Sequence, residues 1–396
     1  MGSCSSSGSS RKNEKLTAEE GADLLDTYLR IERDIYREER SPPAPALGHA
    51  MVKLDRMAGE LDSAMVDMSS EREDLVQIPG TVPEMDTMRL ENFDESIRRV
   101  LHELSINRMP DQAQEHEEFI SNLNRKAMKQ HRIYWLNKRK EDAQDDVTRL
   151  SERIQHLQSL YQHHDSLVGG VGAPKSDLMP EFERLRSYRD TLYNAELSWR
   201  DALRLVQAAA TLSRSGLDNY SQLRETLNND SRWRLAQDAR NSLHEAVLCV
   251  QAAMTSLPGV QFPYCSMREL QALMQVLEYI YTDMQIPDRY RHGSDVYNSF
   301  QKRTMALYQW IKKTMEETIH KDVVDVDQKL SQITTNMTNS TANFIRQKAG
   351  LGANKGYDPE SLAARIRDDY DRKLLNNTVI NNNSMVMTRD PIRPLL

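Results

Sequence analysis

The sequence predicts an all-α protein, an elongated antiparallel coiled coil or helical bundle with disordered N- and C-terminal tails. Three observations carry this. Apolar residues recur at alternating three- and four-residue spacing in several long segments. The 396-residue chain is 28% charged and only 6% aromatic, and its 39% apolar residues are enough to line helical seams but not to fill a large spherical core. Pro and Gly gather at a few points and leave residues 111–168 free of both.

The first helix opens at Thr17, with Glu20 three residues on as a capping box. Leu24, Tyr28, Ile31 and Ile35 form its apolar stripe, and Ser41-Pro42-Pro43-Ala44-Pro45 reads as a stiff linker. Leu47, Met51, Leu54, Ala58, Leu61, Met65 and Met68 spell heptads, until Pro79-Gly80 and Pro83 break the run. A shorter helix spans Phe93 to Ile106, with Ile97, Val100, Leu101 and Leu104 inward.

Pro110 suits a helix start. Beyond it Ile133, Leu136, Lys140, Ala143, Val147, Leu150, Ile154, Leu157 and Tyr161 keep strict spacing with one polar member. A loop over Val168–Pro174 precedes a second long helix from about Ser176, carrying Phe182, Leu185, Leu192, Trp199, Leu203, Val206 and Ala210 on one face. A short loop between long amphipathic helices makes them antiparallel neighbours, so residues 110–214 read as a coiled-coil hairpin.

Gly216 to Ser231 reads as a break with room for a short helix. Next comes an Ala-rich helix marked by Ala236, Ala239, Leu243, Ala246, Val250 and Ala253. Ser266 and Glu269 form a second capping box before Leu270, Leu273, Leu277 and Tyr281, and Pro287 closes that helix. A last long helix opens near Ser294 and ends at Gly350 and Gly352; after a short helix from Pro359 the chain becomes an Asn-rich tail. The expected organisation is therefore a tail at 1–16, N-terminal helices over 17–109, the hairpin at 110–214, a bundle over 215–350 and a tail at 351–396.

A net charge of -7 disfavours global attraction to nucleic acid. Three cysteines are too few for a disulfide framework and suit a reducing compartment. No apolar run reaches the roughly eighteen residues that span a bilayer, and the start of the chain lacks the apolar core of a secretory signal.

The chain begins Met-Gly-Ser-Cys-Ser-Ser, which satisfies the pattern for myristoylation of Gly2, with Ser6 supplying the hydroxyl. Cys4 is placed to take a palmitoyl chain, and Arg11, Lys12 and Lys15 add positive charge. One myristoyl chain binds a membrane only marginally, so a second signal is needed for stable residence. These residues are similar to the dually acylated N-termini of several peripheral membrane proteins. The resemblance implies a protein held at the cytosolic face of a membrane.

The segment 125–140 reverses the sign of an acidic chain: Arg125, Lys126, Lys129, Arg132, Lys138, Arg139 and Lys140 are seven cations in sixteen residues without an acid. Tyr134 and Trp135 lie among them. This points to an anionic surface such as lipid headgroups, with Trp135 at the interface. The competing reading is a solvated face paired to Glu141, Asp142, Asp145 and Asp146. Pro391 and Pro394 frame a PxxP that fits an SH3-type groove.

Other chemistry is weakly supported. Gly169–Ser176 approaches a phosphate loop, but Pro174 stands where a glycine must supply an N–H. His102-Glu103 and His244-Glu245 lack the second histidine of a zinc motif, and Glu317 with His320 is one Glu-x-x-His where a di-iron bundle needs two. Cys249 reads as a small core residue, and Cys265 precedes a helix N-terminus, which would lower its pKa. No metal or cofactor is expected.

The expected function is a non-enzymatic, membrane-anchored cytosolic scaffold or adaptor, meeting lipids through acyl chains and the basic patch, and proteins or a second copy through its seams. The alternatives are a membrane-shaping, lipid-binding helical dimer acting through 125–140, and an enzyme with a bundle site that no spacing reveals.

Overall fold

The computed structural model describes residues 17–75, 92–103, 106 and 110–351, and all regular structure among them is helical. Eleven α-helices follow in order: α1 Ala18–Glu39, α2 Pro43–Leu75, α3 Phe93–Glu103, α4 Pro110–Glu115, α5 Glu117–Val171, α6 Met179–Gln222, α7 Asn229–Ser256, α8 Met267–Glu278, α9 Ile280–Asp283, α10 Pro287–Thr314 and α11 His320–Lys348. A π-helical turn, Met315–Ile319, separates α10 from α11. No helix among the described residues is long and apolar enough to cross a membrane.

Both expected capping boxes form. Thr17 caps α1 with Glu20 reaching back to it, and Ser266 does the same with Glu269 at α8. Prolines behave differently from the expectation. Pro43 and Pro45 lie inside the first turn of α2 instead of forming a linker, and Pro287 opens α10 instead of closing α8. The first turn of a helix has no intrahelical use for the N–H that proline lacks, so both placements are unstrained.

Gly216 is likewise not a break. It lies within α6, where a Cβ would come within 2.6 Å of Leu243 Cγ and 3.1 Å of the Ala239 carbonyl oxygen. Glycine there lets α6 and α7 approach closely. At the end of α5 the helix runs on through Gly169 and Gly170 and stops at Gly172, whose φ of 70° turns the chain while the Val168 carbonyl accepts from the N–H groups of Gly172 and Ala173.

The described chain divides into two units. The larger is built from Ala44–Glu152 and Arg189–Val324. Its centre is α7, thirteen of whose 28 residues are buried, including the consecutive Val247, Leu248, Cys249 and Val250. A helix apolar on every side has to be surrounded. Leu270, Leu273 and Leu277 of α8 and Tyr297, Leu307 and Ile311 of α10 belong to the same core. On α2 the buried face is Ala50, Met57, Leu61, Ala64 and Met68, so Met51 (55% exposed) and Met65 (53%) of the expected heptads point outward. The alanines one residue earlier form the tighter seam.

The smaller unit takes in 17–43, 153–188 and 325–351. Leu25, Tyr28 and Leu29 of α1 pack with Val171 of α5 and with Ala342 and Ile345 of α11. Gly21 lies against Ala349 with no room for a side chain. Around this small core Arg153 Nη2 bonds Glu38 Oε2 at 2.9 Å, and Arg186 Nη2 and the Tyr161 hydroxyl both reach Glu39 Oε1, at 2.6 and 3.1 Å.

Candidate anion-binding face on the long helix

The basic segment 125–140 lies on α5 within the larger unit. A run of seven cations cannot all face one way at 3.6 residues per turn, and α5 distributes them in three directions. Arg139 turns inward. Its guanidinium lies 4.7 Å from the centre of the Trp135 ring, and burial lowers its pKa against the pull of Cys249, Asp201 and Glu60. Trp135 is only 8% exposed and is part of the core. The expectation that Trp135 stands at a lipid interface therefore does not fit its position: the ring is a packing element and Arg139 is its lid.

Arg125 is tied to the bundle by a 2.9 Å ion pair with Glu278 at the end of α8. Arg132 is half-buried, and its charge bears on His244. Lys138 is exposed, beside Tyr134 at 66% exposure, and its charge bears on Glu245. Lys126, Lys129 and Lys140 are half-buried. Helical spacing places these three on one flank of α5, with Ile133 between them. This lysine flank is the candidate surface for an anion, and Lys138 lies on a different side of the helix.

Asp201 is one of the acids whose charge bears on Arg139. It accepts a 3.0 Å hydrogen bond from His49 Nε2 and lies 3.4 Å from Lys53 Nζ. Burial pushes its carboxyl up, but the His49 hydrogen bond and the charges of Lys53 and Arg204 outweigh that and hold it at about 2.

Behind the basic segment is a buried polar network not anticipated from the sequence. Arg240 of α7 is 0% exposed. It donates to Asp94 Oδ1 of α3 at 2.7 Å, to Asn124 Oδ1 of α5 at 3.0 Å and to Asn241 Oδ1 at 2.6 and 3.1 Å. Asn124 Nδ2 in turn donates to the Leu277 and Glu278 carbonyls, each at 2.9 Å, capping the C-terminus of α8. One turn along α7, His244 Nδ1 is 3.4 Å from His131 Nδ1 of α5. With its donors occupied, Arg240 acts as a strut joining three helices and not as a free charge for a substrate. The sequence signal was present: Arg240 and His244 interrupt the apolar face made by Ala236, Ala239, Leu243 and Ala246, and a charge on such a face requires a buried partner.

The remaining candidates fall into place individually. Cys249 and Cys265 are free and buried, and burial pushes their thiols up to about 12 and about 11. For Cys265 this reverses the expected lowering, because desolvation exceeds the attraction of Arg303. Among the described residues no group of three or more His, Cys, Asp or Glu side chains is placed to hold a metal ion. Gly2, Cys4, Pro391 and Pro394 lie outside the described residues. No family model, curated protein or solved structure matches the chain.

Proposed function

We propose that the protein is a non-enzymatic helical scaffold or adaptor, held at the cytosolic face of a membrane by acyl chains on Gly2 and Cys4. The observation that carries this reading is the coincidence, in the first six residues, of an acceptor glycine, a neighbouring cysteine and only small residues. One acyl chain anchors weakly, and a second chain or a basic surface converts visiting into residence. In this reading the lysine flank of α5, with Lys126, Lys129 and Lys140, supplies the electrostatic contact with anionic headgroups, at about 1 kcal/mol per cation near the surface.

The antiparallel coiled-coil arrangement of α5 and α6 belongs to the same reading. Residues 172–178 are a short connection between helices of 55 and 44 residues, and short connections favour antiparallel neighbours. Their outer faces offer partner proteins, or a second copy of the chain, long charged surfaces.

The test is intact-mass analysis of the protein from eukaryotic cells, wild type beside Gly2→Ala, together with membrane fractionation of both and of Cys4→Ser. The expected result is a myristoyl-sized increase after loss of Met1, absent in Gly2→Ala, with Gly2→Ala largely released from membranes and Cys4→Ser partly so. A free or acetylated N-terminus in the wild type would remove the anchor and with it this reading.

A further inference from the structure

The contact between His131 and His244 is unusual for its surroundings. Two imidazoles meet Nδ1 to Nδ1 at 3.4 Å, with ring centroids 5.5 Å apart, in the packing between α5 and α7. His244 is 2% exposed. The groups that bear on the pair are cationic on two sides, Arg240 on α7 and Arg132 on α5. Among the described residues the acid that bears on it is Asp94 of α3, which is already bonded to Arg240. With both rings neutral, one Nδ1 donates to the other and the contact is satisfied. With both protonated, two N–H groups face each other between a half-buried and a buried ring, beside a buried guanidinium.

We propose that the His131–His244 pair is a proton-triggered latch, which holds α7 against α5 within the larger unit near neutral pH and releases it as the medium becomes mildly acidic. The device needs no ligand: the trigger is the proton, and the element released is the central helix of the unit. A cation is a poor alternative occupant, because Arg240 and Arg132 repel it.

The direction follows from linkage. Burial lowers the pKa of His131, with Arg240 adding to the effect and Asp94 opposing it. Burial lowers that of His244 further, with His131, Arg240 and Arg132 all contributing. The folded values lie below the unfolded histidine value of about 6.5, so the opened state takes up protons first as pH falls. Stability supplied by the neutral pair is intact above about 6.5 and is lost as pH falls from there toward the folded values. Each histidine held neutral raises the open-to-closed ratio by up to about tenfold per pH unit, so the pair gives up to about hundredfold one unit below 6.5.

The structure supplies its own reporters. Cys249 lies on α7 five residues beyond His244 and is 3% exposed, so release of α7 uncovers its thiol. All four tryptophans of the chain, Trp135, Trp199, Trp233 and Trp310, belong to the larger unit, so intrinsic fluorescence reports that unit alone.

The experiment measures modification of Cys249 in the full-length protein by 4,4′-dithiodipyridine, located by peptide mass mapping, at pH 7.5, 6.5 and 5.5. Glutathione run in parallel corrects for the pH dependence of the reagent. The wild type is expected to react at least tenfold faster at pH 5.5 than at 7.5, with a tryptophan emission shift over the same interval. The double variant His131→Gln, His244→Gln is expected to lose most of both changes. A flat wild-type profile, or an unchanged acid response in the double variant, would overturn the proposal. If the double variant does not fold at pH 7.5, histidine C2–H exchange on the wild type decides instead. Both rings titrating together with the emission shift supports the latch, and titration at a pH separate from that shift overturns it.

Discussion

Arg240 Nη2 and Asp94 Oδ1 lie 2.7 Å apart, joining a fully buried guanidinium on α7 to a carboxylate on α3 that is 26% exposed. The pair is asymmetric: Asp94 can turn to water if its partner is lost, whereas Arg240 cannot. Asp94→Ala is therefore expected to destabilise the fold by about 3 kcal/mol, the low end for breaking a buried pair, because Asn124 and Asn241 still accept from the guanidinium. Arg240→Met, which removes the buried charge itself, is expected to lose less than half as much. Urea denaturation of both variants checks the order, and equal losses would contradict the asymmetry between the buried Arg240 charge and the partly exposed Asp94.

The same substitution at two glycines should have opposite signs. Gly216→Ala gains about 1 kcal/mol of helix propensity. Its Cβ, however, meets Leu243 Cγ at 2.6 Å, and overpacking of this kind typically costs about 1–3 kcal/mol. A net loss of about 1 kcal/mol is expected. Gly59→Ala on α2 meets nothing within 4 Å and should stabilise by about 0.5–1 kcal/mol. Thermal melts of the two variants side by side provide the check.

These glycines also show what could be read from the chain. Period-3.6 apolarity and capping boxes are local, so the helical class, the starts at Thr17 and Ser266 and the buried faces of α7 and α8 were legible. Gly216, Pro43 and Pro287 were misread as breaks because their meaning depends on what lies opposite or on their place within a turn. The basic segment was legible as charge. Its division into an inward Arg139, a bridging Arg125 and a lysine flank was not, because that depends on which flank of α5 its neighbours cover. The Arg240 network joins residues more than a hundred positions apart, beyond the reach of any local pattern.

The smaller unit should respond to pH in the opposite sense to the latch. His164 Nε2 lies 2.9 Å from Glu32 Oε1, and Thr338 donates to the other oxygen of the same carboxylate at 3.2 Å. The Glu32 hydrogen bond raises the His164 pKa more than burial lowers it, with Asp165 adding to the rise. A raised folded value means that the stabilisation is fully present below the unfolded value of about 6.5 and is lost as pH rises through the folded value. Hydrogen exchange in α1, corrected for intrinsic rates, is expected to show stronger protection at pH 6 than at pH 8, and Glu32→Gln should flatten the difference. Protection unchanged between these values in the wild type would rule out the ion pair as a clamp on α1.

The positions of Trp135 and the lysines separate folding from binding in the basic segment. Removing positive charge from the half-buried lysine flank weakens attraction to anionic lipid more than it disturbs the core. Removing a buried ring does the reverse, by about 3–5 kcal/mol for Trp→Ala. The triple variant Lys126→Gln, Lys129→Gln, Lys140→Gln is therefore expected to lose most binding to phosphatidylserine-containing vesicles at low salt, with a melting temperature within a few degrees of wild type. Trp135→Phe is expected to melt earlier and, below its transition, to bind the same vesicles as the wild type. If Trp135→Phe lost binding while folded, the ring would have to reach the lipid, and the inward assignment of Trp135 and Arg139 would be wrong. If the triple variant bound normally, the lysine flank would have no part in membrane contact, and attachment would rest on the acylated N-terminus alone.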